Sequence, residues 1–359
     1  MMSIAKLALE DGTILIGEGF GAKTTHSGEI VFSTSMTGYV EALTDPSYKG
    51  QILMATYPLQ GNYGVSHDWF QSEDVKVEAF VTRQICYNPT HHKSEISLPD
   101  FLKEEGIPGI SGIDTRKLTL KIREHGSMKA AVSTEDISDE KLLKIVNDQE
   151  NLQDMQLVKD LTVKEPKIFN ENGKYTIALI DCGVKYNMIN ELVKRDCKVI
   201  QVPSSITSEE LLSYGIDGVM LSSGPGNPEN VDNVQETIKS ISDKVPIYGI
   251  CLGMQIIALA HGATTYKMKF GHRGSNQPVK NVTTGKVSIT SQNHSFAIDK
   301  DSLEGTGFEI THVNLNDGTP EGLKHETLPI ACMQYHPEAG PGPHDTKIFF
   351  DDFLSNMDK

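Results

Sequence analysis

The chain has 359 residues, of which 38% are hydrophobic and 23% are charged. This is the composition of an ordinary globular protein, and it excludes a disordered, collagenous or coiled-coil chain. The 48 acidic residues outnumber the 33 basic ones, giving a formal charge of −15, which argues against a general nucleic-acid-binding protein because such proteins need a basic surface. At roughly 150 residues per domain, the length predicts two domains.

Neither export nor membrane insertion is indicated by the sequence. The first residues lack the apolar stretch of a signal peptide, and no apolar run approaches the ~20 residues of a membrane-spanning helix. The cysteines are odd in number and scattered, and no pair has the CxxC spacing of a zinc site. We therefore expect a cytoplasmic protein with reduced thiols, no metal site, and no binding to nucleic acid or membranes.

The first part of the chain predicts a mixed α/β domain. Strands are predicted at residues 4–9, 13–16, 29–32 and 51–55, and helices at residues 98–106, 114–125 and 138–157. Asp11 and Gly12 have the residue types of a hairpin turn between the first two strands. Asp114 stands where the second helix should be capped, and Gly126 stands where that helix should end.

A polar stretch at residues 163–174, with Pro166 and an Asn-Glu-Asn-Gly turn, is the best candidate for a domain boundary. We therefore predict one domain at residues 1–165 and a second at residues 174–359. In the second domain short apolar strands alternate with amphipathic helices, which is typical of a mostly parallel sheet flanked by helices. The strands are predicted at 175–181, 198–202, 218–221 and 247–250, and the helices at 187–194, 208–212 and 233–242. Ligand sites in such sheets form at the carboxyl ends of the strands.

Cys251 has the most specific local sequence in the chain. It lies between a predicted strand and a predicted helix, in a Gly-x-Cys-x-Gly pattern with Gly249 and Gly253. In the similar Gly-x-Ser-x-Gly turn of hydrolases, the glycines permit a tight turn that exposes the nucleophile. The N-terminus of the following helix favours the thiolate. The alternative is a small cysteine that packs the end of a strand, and the two glycines argue against it.

A nucleophilic cysteine needs a base and a group that orients the base. His336 and Glu338 are two residues apart, so in an extended chain they lie on the same face, and Pro337 stiffens the segment between them. His336 could then take the proton of Cys251 while Glu338 holds the ring. The alternative is an ordinary surface histidine beside a carboxylate.

Two further segments are candidates for binding. Gly224-Pro225-Gly226 directly follows a predicted strand, and the amides of such a rigid turn can face a bound carbonyl. It lacks the spacing and the lysine of a phosphate-binding loop. Residues 291–296 form a polar cluster that could bind an amide and an amino-acid head group. A plain turn and an ordinary loop are the respective alternatives.

Together these residues resemble the triad-type class I glutamine amidotransferases over about residues 174–359. Motifs in the first domain are similar to those of carbamoyl phosphate synthetase small subunits, and so are two motifs in the second. These segments are Ser33–Tyr39, Leu43–Tyr48, Gly109–Arg116, Gly271–Pro278 and His336–Pro343. With them the resemblance spans nearly the whole chain.

The resemblance implies a function for each part of the site. Cys251 would be the nucleophile that forms a glutamyl thioester, His336 the general base and acid, and Glu338 its orienting partner. Glutamine binding would fall to Ser47, Gly224, Gly226, Leu252, Gln255, Asn293, Ser295 and Phe296. The family usually has Gly where Ser295 stands, and Ser can keep a backbone contact there provided its φ is not positive.

The resemblance also implies a partner. Ammonia from glutamine would pass to a large subunit, in a heterodimer or a higher assembly of heterodimers. That subunit would bind ATP, Mg²⁺ and bicarbonate and make carbamoyl phosphate for arginine or pyrimidine biosynthesis, or for both, while this chain would hold no cofactor. Three other functions remain open: the glutaminase of anthranilate or guanylate synthesis, a scaffold subunit without activity, and a free-standing cysteine hydrolase.

Overall fold

The computed structural model describes residues 3–357 and divides the chain into two compact units, one ending at Met155 and the other beginning at Gln156. The strands are β1 (Ser3–Leu9), β2 (Ile14–Gly21), β3 (Thr25–Ser33), β4 (Gln51–Ala55), β5 (Leu59–Gln60), β6 (Ala79–Val81), β7 (Gln84–Ile85), β8 (Pro108–Ser111), β9 (Met128–Ser133), β10 (Lys167–Phe169), β11 (Tyr175–Asp181), β12 (Cys197–Pro203), β13 (Gly218–Leu221), β14 (Ile247–Ile250), β15 (Thr265–Asn281), β16 (Val287–Ile298), β17 (Phe308–Asn314), β18 (Pro320–His325) and β19 (Ile330–Met333). The helices are α1 (Tyr39–Leu43), α2 (Leu98–Glu104), α3 (Thr115–His125), α4 (Asp139–Asp148), α5 (Leu157–Leu161), α6 (Tyr186–Val193), α7 (Ser208–Ser213), α8 (Asp232–Ile241), α9 (Leu252–Ala260) and α10 (Ile348–Ser355). Among the described residues, no helix is both long enough and apolar enough to cross a membrane.

The first unit is built on a closed barrel in the order β1-β2-β8-β6-β4-β3-β9. The predicted hairpin between β1 and β2 is confirmed: Gly12 has a φ of 86°, and its N–H donates to the carbonyl of Leu9 at 3.0 Å. The sequence predicted the separate strands but not their closure, because the pairing of β1 with β9 joins residues more than a hundred positions apart.

The helix ends in the first unit follow local capping rules, with one correction. Asp114 caps α3 by accepting from the N–H of Lys117, and Gly126 with a φ of 101° ends that helix, as predicted. The predicted helix at 138–157 is wrong in length, because α4 ends at Asp148 and Gln149 has extended backbone angles. Asn147, Asp148 and Asn151, which have low helix propensity, lie where the helix stops, and a new helix starts only at Leu157.

The second unit contains a ten-stranded sheet in the order β10-β12-β11-β13-β14-β19-β18-β17-β15-β16. Strands β12, β11, β13, β14 and β19 are parallel, which confirms the predicted parallel α/β sheet. The expected sheet was mostly parallel, whereas β18, β17, β15 and β16 add an antiparallel half. The long strands β15 and β16 carry polar and charged residues on both faces and therefore lack the apolar runs by which the other strands were recognised.

Both faces of the parallel strands are covered, as their continuous apolar sequences require. Along β11 the side chains alternate: Ala178 and Ile180 pack with α8 and α9, while Ile177 and Leu179 pack with α6 and α10. The carboxyl ends of β11, β13, β14 and β19 are therefore held at one edge between two apolar layers.

The boundary between the two units falls ten residues before the predicted end of the first domain. Helix α5 belongs to the second unit, where Val158 packs into the core beside the sheet. The N–H of Val163 donates to the carboxylate of Asp181 at 2.9 Å, which fixes the chain beyond the helix. Residues 167–169, which the sequence analysis placed in the boundary segment, form the edge strand β10.

Candidate active site

Cys251 lies at a strained turn between β14 and α9. Its φ is 55° and its ψ is −106°, a conformation that residues other than glycine rarely adopt. The flanking glycines are needed because the chains approach closely. A Cβ on Gly249 would lie 2.7 Å from the backbone of Gly253, and a Cβ on Gly253 would lie 2.6 Å from the carbonyl oxygen of Leu221. The structure thus has the strand–turn–helix geometry expected of a nucleophile turn.

Backbone contacts hold the cysteine from two neighbouring strands. The N–H of Cys251 donates to the carbonyl of Met333 at 2.8 Å, and its thiol donates to the carbonyl of Asn293 at 3.6 Å. Only 2% of the residue is exposed. The first amides of α9 have no intrahelical acceptor, as at any helix start, so they are available to a developing negative charge beside Cys251.

His336 and Glu338 form the predicted pair. Nδ1 of His336 lies 2.6 Å from Oε1 of Glu338, and both side chains are buried. The N–H of His336 donates to the carbonyl of Ser291 at 2.8 Å, which ties this segment to β16. Nε2 of His336 has no hydrogen-bond partner among residues 3–357. With Nδ1 occupied by the carboxylate, Nε2 is the nitrogen left to exchange a proton with a thiol.

Lys185, which the sequence analysis missed, completes this arrangement. Its ammonium lies 3.1 Å from Oε1 of Glu338 and donates to the carbonyl of Ala339 at 2.6 Å. Only 1% of Lys185 is exposed, so it is a buried cation paired with a buried anion. In the sequence, Lys185 is marked only by its position shortly after the carboxyl end of β11. Many lysines follow strands in this way, so the position alone does not indicate a role in the site.

The charges of the site favour an imidazolium beside a carboxylate. Burial, the largest single effect, opposes the charged ring of His336, but the Glu338 carboxylate and Cys251 together outweigh it and raise the pKa of His336 to about 10. Lys185 opposes this rise. Burial alone would raise the pKa of Glu338, but Lys185 and then His336 lower it to about 2. Glu338 is therefore ionised at neutral pH, and a proton arriving on His336 is stabilised there.

The Gly-Pro-Gly turn lies beside the nucleophile. A Cβ on Gly224 would lie 2.2 Å from the carbonyl oxygen of Cys182 and 2.8 Å from the side chain of Leu252, so glycine is required for this approach. Gly226 has a φ of 88°, which also favours glycine. The structure therefore brings this turn to the start of α9, where Leu252 is the first helical residue.

Gln255 connects α9 to the other predicted glutamine-binding segment. Its Nε2 donates to the carbonyl of Phe296 at 2.8 Å and to Oε1 of Gln334 at 3.0 Å. Gln255 is buried, as are Asn293 and Phe296 on β16. The predicted residues of the second unit thus lie on the loop after β13, on α9 and on β16, and Asn293 contacts Cys251 directly.

The similarity of the chain to known proteins agrees with this geometry. A family model described as glutamine amidotransferase class-I matches residues 178–356, and one described as carbamoyl-phosphate synthase small chain, CPSase domain, matches residues 7–132. A relative from Archaeoglobus fulgidus, named carbamoyl phosphate synthase small chain, is 53% identical over 353 residues and is matched over 98% of each chain. The chain belongs to the carbamoyl phosphate synthase small-chain family.

Two more relatives of this name support the assignment. One from Methanocaldococcus jannaschii is 53% identical over 360 residues, with 99% of each chain covered. One from Bacillus thuringiensis is 50% identical over 353 residues, with 98% of this chain and 96% of the relative covered. The resemblance drawn from the motifs is confirmed, and the class I amidotransferase domain makes the chain a glutamine-hydrolysing enzyme of the carbamoyl phosphate synthase family.

Ser295, where the family resemblance led us to expect glycine, has an ordinary backbone conformation. It lies within β16 and its φ is not positive, so the serine introduces no strain. Its Oγ accepts a hydrogen bond from the guanidinium of Arg273, which also donates to the carbonyl of Phe270 at 2.8 Å. A side chain at Gly271 would lie 2.6 Å from that guanidinium, so the glycine there leaves room for the arginine.

Ser47 belongs to the first unit of this small chain. It lies in a short 3₁₀ turn, where its N–H donates to the carboxylate of Asp45 at 2.9 Å. Its hydroxyl is buried and has no hydrogen-bond partner among residues 3–357. The expected contact of Ser47 with glutamine stays a prediction.

Proposed function

We propose that the chain hydrolyses L-glutamine through a glutamyl thioester on Cys251 and delivers the ammonia to a large subunit for carbamoyl phosphate synthesis. The observation that carries the proposal is the arrangement of His336. Its Nδ1 is bound to Glu338 at 2.6 Å, its Nε2 is unpaired by geometry among the described residues, and Cys251, on a strained turn, is close enough to raise the pKa of the ring. This is the division of roles within a nucleophile–base–carboxylate triad.

The first half-reaction forms the thioester. His336 holds the proton of Cys251 as an imidazolium, and the thiolate attacks the side-chain carbonyl carbon of glutamine. Backbone amides at Leu252 and Gly226 stabilise the negative oxygen of the tetrahedral intermediate. His336 then returns the proton to the leaving nitrogen, the C–N bond breaks, and ammonia departs.

The second half-reaction restores the enzyme. His336 takes a proton from water, and the resulting hydroxide attacks the thioester carbon. The C–S bond breaks, glutamate leaves, and the thiolate of Cys251 regains its proton from His336. Glu338 stays ionised throughout, because its pKa lies near 2, and Lys185 holds it in place.

The partner completes the synthesis. We propose that the large subunit binds ATP, Mg²⁺ and bicarbonate and consumes the ammonia, and that this chain needs no cofactor for glutamine hydrolysis. Carbamoyl phosphate would serve arginine biosynthesis, pyrimidine biosynthesis, or both. Uncharged ammonia is the useful product, because ammonium lacks the lone pair that attacks the partner's substrate.

Labelling with an electrophilic glutamine analogue, 6-diazo-5-oxo-L-norleucine, tests the nucleophile. We expect one adduct per chain on Cys251, found by peptide mass spectrometry, and protection by L-glutamine. Cys197→Ser, at a buried cysteine on β12, is the matched control and should label normally. An adduct on another cysteine would contradict the proposal, and so would glutaminase activity in the purified Cys251→Ser variant.

A further inference from the structure

A second buried cluster lies next to the predicted glutamine-binding strand. His272 on β15, His294 on β16 and Glu321 on β18 each offer one ligand atom, and these atoms lie within 4.8 Å of one another. Nδ1 of His272 is 3.5 Å from Oε1 of Glu321, and Nε2 of His294 is 4.0 Å from the same oxygen. All three residues are buried. The triad reaction uses none of these side chains.

Each imidazole has one ring nitrogen hydrogen-bonded to a group outside the cluster. Nδ1 of His294 lies 2.7 Å from the carbonyl of Phe296, so Nδ1 carries the proton and Nε2 presents its lone pair toward Glu321. Nε2 of His272 lies 2.8 Å from the carboxylate of Asp317, and its Nδ1 faces Glu321 and the side-chain amide of Asn314, which lies 3.3 Å away and would have to yield to a metal. Histidines that ligate metals usually donate their other N–H to a carbonyl or a carboxylate in this way.

Glu321 is a fully buried carboxylate with one unpaired oxygen among the described residues. It is 0% exposed; Oε1 accepts from Asn314 at 3.1 Å, and Oε2 has no hydrogen-bond partner among the described residues. A buried carboxylate oxygen without a partner is costly. Asp317 adds a second carboxylate beside His272. A divalent cation bound by two neutral imidazoles would balance both carboxylates.

We propose that His272, His294 and Glu321 bind a divalent transition metal, with Zn²⁺ as the best match to two imidazoles and one carboxylate. Zinc bonds of about 2.0–2.1 Å place tetrahedral donors roughly 3.3–3.5 Å apart. The 3.5 Å separation fits this range, the 4.0 Å separation requires a contraction of about 0.5 Å, and the two imidazole nitrogens, no more than 4.8 Å apart, must also draw together. The Gln292 side-chain amide, 3.2 Å from Nε2 of His294, can supply its oxygen as a fourth ligand.

Such a metal would be structural and would revise the expectation of no metal site. It would tie β15, β16 and β18 together, and His294 directly adjoins Asn293, whose carbonyl receives the Cys251 thiol. The sequence gives no sign of the site, because its ligands lie on three separate strands and share no short spacing motif. The proposal does not depend on the glutaminase reaction.

Metal binding can be measured on the full-length, untagged chain after treatment with EDTA. We expect one Co²⁺ per chain, with the visible d–d bands of tetrahedral Co²⁺, and displacement of Co²⁺ by Zn²⁺. Glu321→Gln should weaken Co²⁺ binding by about a hundredfold or more, since loss of an outer-shell partner alone costs 10–100-fold. His312→Asn is the matched control, because His312 lies on β17 and contacts Asn281 instead of the cluster, and it should bind Co²⁺ normally.

A second measurement keeps the test decisive if Glu321→Gln does not fold. Zn²⁺ should raise the Tm of the wild-type chain, because a ligand that binds only the native state stabilises it. The proposal is overturned if the wild-type chain takes up no stoichiometric Co²⁺ and its Tm is unchanged by Zn²⁺. It is also overturned if Glu321→Gln binds Co²⁺ as tightly as the wild type. Loss of Co²⁺ binding in Cys251→Ser would then place the metal on the nucleophile.

Discussion

Replacing Glu338 by Gln removes the carboxylate that orients His336 and changes the size of the side chain little. Glu338 is the main group that raises the pKa of His336 from its usual value near 6.5 to about 10. At 1.36 kcal/mol per pKa unit, this difference corresponds to roughly 5 kcal/mol in favour of the charged ring. Cys251 supplies part of it, so we expect kcat/KM for glutamine hydrolysis to fall by about 10³-fold, which equals ~4 kcal/mol. Glutamate release by the purified chain is the assay.

A control must separate this catalytic loss from loss of the fold. Glu338→Gln leaves Lys185 as a buried cation without its anion, and breaking such a pair costs about 3–5 kcal/mol of stability. The double variant Lys185→Met/Glu338→Gln removes both charges. It should therefore regain much of the lost Tm while its kcat/KM stays low. If Glu338→Gln keeps kcat/KM within tenfold of the wild-type value, the role assigned to the carboxylate is wrong.

The same substitution should change how stability depends on pH. The folded state raises the pKa of His336, so its contribution to stability is complete below pH 6.5 and is lost as the pH rises toward about 10. The folded state lowers the pKa of Glu338, so its contribution is present above pH 4.5 and is lost as the pH falls toward about 2. In the Lys185→Met/Glu338→Gln variant, the loss of Tm toward pH 10 and the loss of Tm toward pH 2 that these two groups cause should both be absent.

Three further substitutions test separate parts of the account. Ser47→Ala should raise KM for glutamine with little change in kcat, as the family resemblance implies; an unchanged KM would remove Ser47 from the site. Gly253→Ala should cost about 1–3 kcal/mol of stability, because its Cβ would meet the carbonyl oxygen of Leu221; an unchanged Tm by calorimetry would refute the packing argument. Ser295→Ala should lower Tm through loss of the Arg273 hydrogen bond and raise KM less than about tenfold; a loss of activity beyond a hundredfold would show that the hydroxyl itself contacts substrate.

The sequence predicted the parts of the site that depend on neighbours along the chain. Cys251 was recognisable because the two glycines, the strand and the helix are all local, and His336 and Glu338 because they are two residues apart. The parallel strands were recognisable from short apolar runs. These features are decided within about ten residues, where periodicity and turn chemistry are informative.

The features that were missed depend on distant contacts. Lys185 matters because folding places it against Glu338, about 150 residues further along the chain. Barrel closure and the antiparallel half of the sheet likewise depend on pairing between distant strands. The buried cluster at His272 is formed from three strands and has no local pattern. Apolar periodicity also failed locally at α4. The apolar pattern predicted a helix to residue 157, but polar residues end the helix at Asp148.

Carbamoyl phosphate formation by this chain together with its large subunit, fed either glutamine or ammonium chloride, tests the central claim most directly. With the wild-type chain both nitrogen sources should support synthesis. With Cys251→Ser, synthesis from glutamine should vanish while synthesis from ammonium remains, because only the thioester step needs the thiol. Synthesis from glutamine that persists in Cys251→Ser, or a wild-type complex that uses ammonium alone, would contradict the account.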